Sequence, residues 1–151
     1  MKLNKRMRAL FDGLGEARIN PPQTLDDIVA KRFVETNDGV LLAYFAKRRS
    51  NTSPGYFPDK TGFECFVNSF HIDDYVDKDF LAYSLFVVSS LKADIERYNL
   101  KTIVGIDDDG GTVRFHVDRV GEEWLSDDIE GYSEALLVLE STDINEIKKL
   151  S

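Results

Sequence analysis

Few residues in this chain are of the types that carry out nucleophilic or acid–base chemistry, since it has two histidines and one cysteine. His116 lies between Arg114 and Asp118, and Glu122 follows soon after, so His116 could act as a general base oriented by a carboxylate. The same alternation is typical of a salt-bridged polar row on the face of a β-sheet. The row is the favoured interpretation, and a small hydrolase that uses His116 is an alternative hypothesis.

The single cysteine is a poor candidate for a nucleophile. Cys65 and His71 are six residues apart, a spacing that leaves two side chains on different sides of a helix. We therefore expect Cys65 to be a small, buried, apolar residue. One cysteine also excludes an intramolecular disulfide, which fits a reducing compartment.

The common metal and nucleotide motifs are missing from the sequence. It has no CxxC, HxxxH or HExxH pattern and no GxGxxG or GxxxxGK[ST] phosphate motif. The acidic run 107–111 has the composition of a calcium loop, but an EF-hand loop requires Gly at its sixth position, which is Thr112 here. We predict an acidic hairpin turn at this run, no metal, no cofactor and no enzymatic activity.

The net charge of −8 is unevenly distributed. Residues 1–60 contain 11 Lys and Arg against 7 Asp and Glu, a net +4, whereas the remainder contains 8 against 20, a net −12. This distribution argues against a protein that tracks nucleic-acid phosphates and favours a partner that is itself basic. Ordinary solubility is the alternative explanation.

The strongest helical pattern spans residues 61–98, and we expect the chain to fold around it. Its first part has an apolar face made of Phe63, Phe66, Val67 and Phe70. Its second part has a longer apolar face made of Leu81, Leu85, Val88, Leu91, Ile95 and Tyr98. Thr61 and Glu64 have the spacing of a capping box, which predicts that the first helix begins there.

Two β-hairpins are predicted where acidic, glycine-containing turns separate apolar runs. The first joins residues 31–36 to 40–47, and the second joins 101–107 to 112–120. One face of the last strand carries Val113, Phe115 and Val117, and the other carries Arg114, His116 and Asp118. The apolar run 135–139 predicts a further strand that is covered on both sides.

The remaining segments predict short helices and one loop. Residues 3–14 have a basic amphipathic pattern, which favours a terminal helix docked on the core over one that contacts a membrane or nucleic acid. A last short helix is predicted through Ile144, Ile147 and Leu150. The loop 48–60 is flanked by the basic run 47–49, and its Tyr56 and Phe57 could form a binding patch, although folding back on the core is the commoner arrangement.

Together these elements predict an α+β fold in a single domain, residues 1–151, with a mainly antiparallel β-sheet and two or more helices packed on it. The N-terminus lacks the apolar region of a signal peptide, and no apolar run approaches the roughly 20 residues of a membrane span. We therefore expect a cytoplasmic protein that has no membrane partner.

Three stretches carry a family resemblance: FECFVNSFHIDDY at 63–75, TVRFHV at 112–117 and the segment from GEEWL at 121 to Leu139. They resemble immunity proteins of bacterial contact-dependent growth inhibition systems, over residues 61–140. The resemblance implies a small cytoplasmic protein that binds and neutralises the toxic C-terminal domain, often a nuclease, of its cognate effector. In some relatives, the toxin adds a β-hairpin to the sheet of the immunity protein, which is β-augmentation.

An acidic surface suits this role, because nuclease domains carry basic clefts and complementary charge speeds association. Trp and Arg often anchor such interfaces. The predicted toxin-binding residues are Asp107, Asp108, Asp109, Arg114, His116, Asp118, Glu122, Glu123, Trp124, Asp127 and Asp128. The alternatives are that Trp124 plugs the edge of the core while the acids are merely solvated, or that the chain is an adaptor for another basic partner. No nucleic acid or small-molecule substrate is expected.

Overall fold

The structure is a computed structural model, and it describes residues 1–15, 18–48 and 52–147. The β-strands are β1 (Lys2–Leu3), β2 (Phe33–Thr36), β3 (Gly39–Leu42), β4 (Phe70–His71), β5 (Leu100–Ile106), β6 (Gly111–Val117) and β7 (Ala135–Leu139). The α-helices are α1 (Lys5–Asp12), α2 (Gln23–Lys31), α3 (Ala43–Arg48), α4 (Lys60–Val67), α5 (Phe80–Ser90) and α6 (Lys92–Arg97). None of the helices in these ranges is long and apolar enough to cross a membrane.

Five of the strands form one antiparallel sheet in the order β1-β7-β5-β6-β4, and β2 and β3 form a separate hairpin. Helices α1, α5 and α6 pack on the large sheet. The predicted α+β fold with a mainly antiparallel sheet is confirmed. Strand β7 lies between β1 and β5, with Leu137 in the main core on one face and Leu136 in a smaller cluster on the other. The prediction of a strand covered on both sides is therefore confirmed as well.

Both predicted hairpins form, but the first is shorter than predicted. Residues 37 and 38 make its turn, between the paired Thr36 and Gly39. The backbone N–H of Ala43 donates to the carbonyl of Arg32 at 2.8 Å, and α3 begins at this residue. The strand predicted for residues 43–47 is therefore wrong. The helical turn instead brings the ring of Phe45 edge-on to Phe70, with 5.1 Å between their centroids.

The first central helix is capped by a different residue from the one predicted. The carboxylate of Asp59 accepts a hydrogen bond from the N–H of Gly62 at 2.8 Å, so Asp59 is the N-cap. The predicted capping box of Thr61 and Glu64 does not form, because both oxygens of Glu64 accept hydrogen bonds from more distant groups. Phe66 is 56% exposed, so the prediction that it lies on the buried apolar face is wrong.

The second central pattern is two helices, and the single helix predicted there is wrong. The N–H of Leu91 is shared between the carbonyls of Val87 and Val88, which tightens the last turn of α5 before α6 begins. Leu91 and Ile95 are both buried. The apolar pattern therefore gives the buried face correctly but not the break, because the residues on either side of the break face the same core.

The terminal segments are close to their predictions. Helix α1 docks on the core through the buried Met7, as expected. At the other end, residues Ser141–Glu146 form a 3-10 helix, while Leu150 lies outside the described residues. In the predicted loop, the ring of Phe57 folds back on Phe63, whereas Tyr56 is 76% exposed. Arg49, part of the basic run beside this loop, also lies outside the described residues.

Candidate functional site

The segment between β6 and β7, residues 118–134, lies on the face of the large sheet that the helices leave uncovered; we call it the acidic flap. Ile129 of the flap is buried against Ile103 of β5 and Leu136 of β7, and Leu125 packs beside them. A small second core therefore holds the flap on the sheet.

Asn4 ties the flap to the N-terminal segment. Its side chain is buried, and its amide nitrogen donates to the carbonyls of Ile129 and Glu134 at 3.2 and 2.9 Å. Its amide oxygen accepts from the N–H of Met7, which caps α1, and from the N–H of Leu136. One side chain thus joins the first helix, the flap and β7.

Arg119 fixes the first turn of the flap. Its guanidinium donates to both oxygens of Glu64, at 2.7 and 3.0 Å, and to the hydroxyl of Thr61 at 3.3 Å. Glu64 is fully buried, and it also accepts from the N–H groups of Val117 at 2.9 Å and Val40 at 2.7 Å. The paired charges and these backbone donors together satisfy a carboxylate that would otherwise be costly to bury.

The flap is strongly acidic. It contains seven carboxylates and one arginine, a net charge of −6. Glu123, Asp127 and Asp128 are exposed. The exposed carboxylate of Asp127 makes no hydrogen bond or ion pair within residues 1–15, 18–48 and 52–147.

Trp124 is the large apolar side chain of this surface. It is 40% exposed, and the guanidinium of Arg114 lies over its ring at 5.6 Å. A cation over an indole ring is attracted to its electron-rich face. The two residue types that most often anchor protein interfaces therefore lie together beside the exposed acids.

His116 is not part of a surface row, and this prediction is wrong. The residue is fully buried because the flap covers this face of the sheet. Its Nδ1 lies 2.7 Å from the carbonyl of Val117, and because a carbonyl only accepts, Nδ1 carries the proton. Burial lowers the pKa of His116 and outweighs the opposing effect of this hydrogen bond. Neither Asp118 nor Glu122 bonds to the ring, so the arrangement required by the alternative hypothesis, a base oriented by a carboxylate, does not form.

The two carboxylates named in that prediction have other partners. Asp118 lies 3.8 Å from the ammonium of Lys101, which also donates to Glu123 at 3.1 Å. Glu122 accepts from the N–H of Thr61 at the start of α4, at 3.3 Å. Burial tends to lower the pKa of Lys101, but the hydrogen bond to Glu123 and the charge of Asp118 raise it overall. Glu122 and Asp118 are therefore partly committed to contacts within the protein.

The predicted site divides into two separate surfaces. Asp107, Asp108 and Asp109 form the turn of the β5–β6 hairpin, where the carboxylate of Asp107 accepts from the N–H groups of Asp109 and Gly110. Asp118 follows the other end of β6, and a strand of seven residues spans about 20 Å. The structure thus brings Trp124 together with the acids of the flap but leaves the acidic turn at the far end of the sheet.

The sheet edges differ in how far they are covered. The outer edge of β6 is capped by Glu64 at Val117 and by the side chain of Asn68, whose amide donates to the carbonyl of Phe115 at 3.2 Å. In β2, by contrast, Glu35 lies opposite Val40, and the N–H of Val40 turns away from β2 to bond with Glu64. The backbone groups of Glu35 therefore also point outward. At the start of β2 the N–H of Phe33 donates to the carboxylate of Asp94 at 3.1 Å, so this outer edge is open only around Glu35.

Two residues of the site, Lys101 and Asn4, were not predicted from the sequence. Lys101 could have been found from the predicted hairpin, because its register places Lys101 directly opposite His116. Asn4 gave no local signal, because its partners Ile129 and Glu134 are more than 120 residues away.

The described residues contain no group of three or more His, Cys, Asp or Glu side chains that could hold a metal ion. Cys65 is buried, and burial raises the pKa of its thiol to about 12. The prediction that Cys65 is a small buried residue is confirmed.

The chain has recognisable relatives among known proteins. Residues 2–148 match the Uncharacterized protein PM0498 family. The chain is similar to Uncharacterized protein PM0498 of Pasteurella multocida (strain Pm70), with 32% identity over 117 residues, which is 67% of this chain and 74% of that protein. No solved structure matches the chain significantly.

Proposed function

The chain belongs to the Uncharacterized protein PM0498 family, and from the geometry of its acidic flap we propose that it is an immunity protein. It binds and neutralises the C-terminal toxin domain of a contact-dependent growth inhibition effector. A basic nuclease is the class of toxin that fits the flap best. The observation that carries this proposal is the pairing of exposed flap carboxylates with a half-exposed Trp124 on one surface.

The charge of the flap supports a basic partner. A nuclease domain holds its phosphates in a cleft lined by Lys and Arg, and the exposed Glu123, Asp127 and Asp128 offer a complementary potential. Such complementarity raises the association rate and is screened by salt. The flap therefore blocks the cleft by occupying the place of the phosphate backbone.

Trp124 and Arg114 supply binding free energy that the exposed charges alone do not. Exposed ion pairs contribute little net free energy, whereas a Trp buried at the centre of an interface commonly contributes 2 kcal/mol or more, as an order of magnitude. The contact between Arg114 and the indole holds the ring in place before the partner arrives. This preorganisation lowers the entropy lost on binding.

The covered edge of β6 favours docking on the flap over strand addition to the large sheet. Backbone groups at Phe115 and Val117 are already bonded to the side chains of Asn68 and Glu64, so an added strand would have to displace these side chains. The outer edge of β2 has only four residues, and Asp94 already binds the N–H of the first. In this proposal the protein acts in the cytoplasm, where a delivered nuclease meets its target, and needs no catalytic residue.

The direct test is neutralisation. The toxin domain encoded immediately upstream of the gene is expressed with and without this protein, and cell survival and nuclease activity are measured. Survival with loss of nuclease activity at equimolar protein supports the proposal. Undiminished killing by an active toxin, with this protein folded and in excess, contradicts it and favours an adaptor for another basic partner.

A further inference from the structure

A cavity of about 350 Å³ lies between the acidic flap and the sheet. Lys101, Ile103 and His116 line it from the sheet, and Glu123, Trp124 and Leu125 line it from the flap. Its volume falls in the range of pockets that hold small molecules. The lining is largely polar, and Lys2, Asp127 and Glu140 add further charged groups to it.

His116, a residue that lines the cavity, carries a buried hydrogen-bond acceptor that the protein leaves unpaired. Because Nδ1 of His116 donates to Val117, the neutral ring presents a lone pair at Nε2. Nε2 is buried and has no hydrogen-bond partner in the part of the chain that the structure describes. A buried polar atom without a partner is destabilising, so this atom favours a ligand that donates an N–H or O–H to it.

A hydrogen-bond donor lies beside this acceptor. Lys101 and His116 are directly opposite each other on neighbouring strands, so their side chains project from the same face with Cα atoms about 5.5 Å apart. Of the three N–H groups of Lys101, one is directed to Glu123 and a second can face Asp118. The remaining N–H is available to a carbonyl oxygen of a ligand.

This pair of groups restricts the chemistry of the ligand. A carboxylate or phosphate would place its lone pairs against that of Nε2, and a cation that only donates would leave the remaining N–H of Lys101 without an acceptor. A neutral group with an N–H next to a C=O satisfies both at once. Trp124 lines the same cavity, and its indole provides a planar apolar surface on which a flat ring can stack.

We infer that the cavity beneath the flap binds a small, planar, cyclic amide or imide, the chemical class to which uracil belongs. The ring N–H donates to Nε2 of His116, the adjacent carbonyl accepts from Lys101, and the ring stacks on Trp124. Glu123 and Asp127 of the flap also line this cavity, but the inference does not depend on the proposed function.

The test uses the intact protein labelled with 15N, uracil as the probe and 1,3-dimethyluracil as its control. The two imidazole rings give separate signals, and the exposed His71 serves as an internal reference. Uracil should shift the Nε2 resonance of His116 but not those of His71. The dimethyl analogue has the same ring without an N–H, so it should bind at least about tenfold more weakly.

An unchanged Nε2 resonance at about 10 mM uracil, or equal binding of both probes, would overturn the inference. This comparison needs no variant and so cannot fail through misfolding. Trp124→Ala, checked by its backbone spectrum, should weaken uracil binding by about tenfold or more. Undiminished binding to the folded variant would also count against the assigned site.

Discussion

The carboxylate of Glu64 is fully buried, and both of its oxygens are bound by the guanidinium of Arg119, at 2.7 and 3.0 Å. The same carboxylate accepts hydrogen bonds from Val40 in the small hairpin and Val117 in the large sheet. Asn68, which directly follows α4, accepts from the N–H of Leu42 and donates to the carbonyl of Phe115. The polar face of α4 thus joins the two sheets and anchors the start of the flap.

Replacing Glu64 should therefore destabilise the whole fold. Glu64→Ala leaves Arg119 without its partner and two buried N–H groups unsatisfied, and removing one member of a buried pair costs about 3–5 kcal/mol. Urea unfolding followed by circular dichroism gives the free energy of unfolding. The exposed Glu35→Ala is the matched control and should change it by less than about 0.5 kcal/mol. Similar values for both variants would mean that the α4 network contributes little.

Asn4→Asp should loosen the flap more than it weakens α1. The aspartate retains the oxygen that caps Met7, but it loses the N–H donors to Ile129 and Glu134. Two unsatisfied carbonyls, beside a buried charge, cost about 2–4 kcal/mol. Hydrogen exchange should show faster exchange across residues 118–134 than in α1. Equal acceleration in both segments would show that Asn4 acts only through the helix cap.

The buried His116 should make the protein less stable in mild acid. Its pKa is lowered in the folded state, so the unfolded chain binds a proton at a pH where the folded chain does not. Stability is therefore lost as pH falls from about 6.5, the ordinary value, to the folded pKa. The loss of unfolding free energy between about pH 7.5 and 5 should be smaller in His116→Gln than in the wild type or in His71→Gln. The same pH dependence in all three would contradict the burial of a neutral ring.

Trp124 should contribute to partner binding more than another apolar residue of similar exposure. Trp124 is 40% exposed beside the flap acids, whereas Leu10 is 39% exposed near the Asp107 turn. Trp124→Ala should weaken toxin binding by about 2 kcal/mol or more, roughly thirtyfold, and Leu10→Ala by much less. Because the chain has one Trp, its fluorescence should also shift to shorter wavelength when the partner covers it. An unshifted spectrum in a saturated complex would exclude this surface.

The fold could be predicted from local patterns, whereas the shape of the site could not. Alternation in β6 correctly separated His116 from Phe115, because residue spacing alone decides which face a side chain takes. The burial of His116 depends on the flap. The sequence of the flap is polar, irregular and acidic, which is typical of a solvated loop, so its position over His116 could not be predicted. The few apolar residues of the flap, such as Ile129, which packs on Ile103, do not recur at the spacing of a helix or strand, so the sequence does not indicate that they are buried.

The division of the acidic residues was partly predictable. The hairpin predicted from the sequence already placed Asp107, Asp108 and Asp109 at its turn and Asp118 near its open end, so one surface could not hold both. The roles of Glu64 and Asn4 could not be predicted, because each joins segments that are distant in sequence. The spacing of Glu64 from Thr61 instead suggested a local cap, since local hydrogen bonds are the ones that sequence patterns show.

The measurement that tests the central claim most directly is a calorimetric titration of the upstream-encoded toxin domain at low and high salt. The wild type should bind stoichiometrically with a Kd on the order of nanomolar, and more weakly at high salt. Asp127→Lys with Asp128→Lys should lose affinity and salt dependence, whereas Asp108→Lys with Asp109→Lys, the same charge change at the far end of the sheet, should not. Absence of binding to the folded toxin, or equal loss in the two double variants, would contradict the acidic flap as the toxin-binding surface.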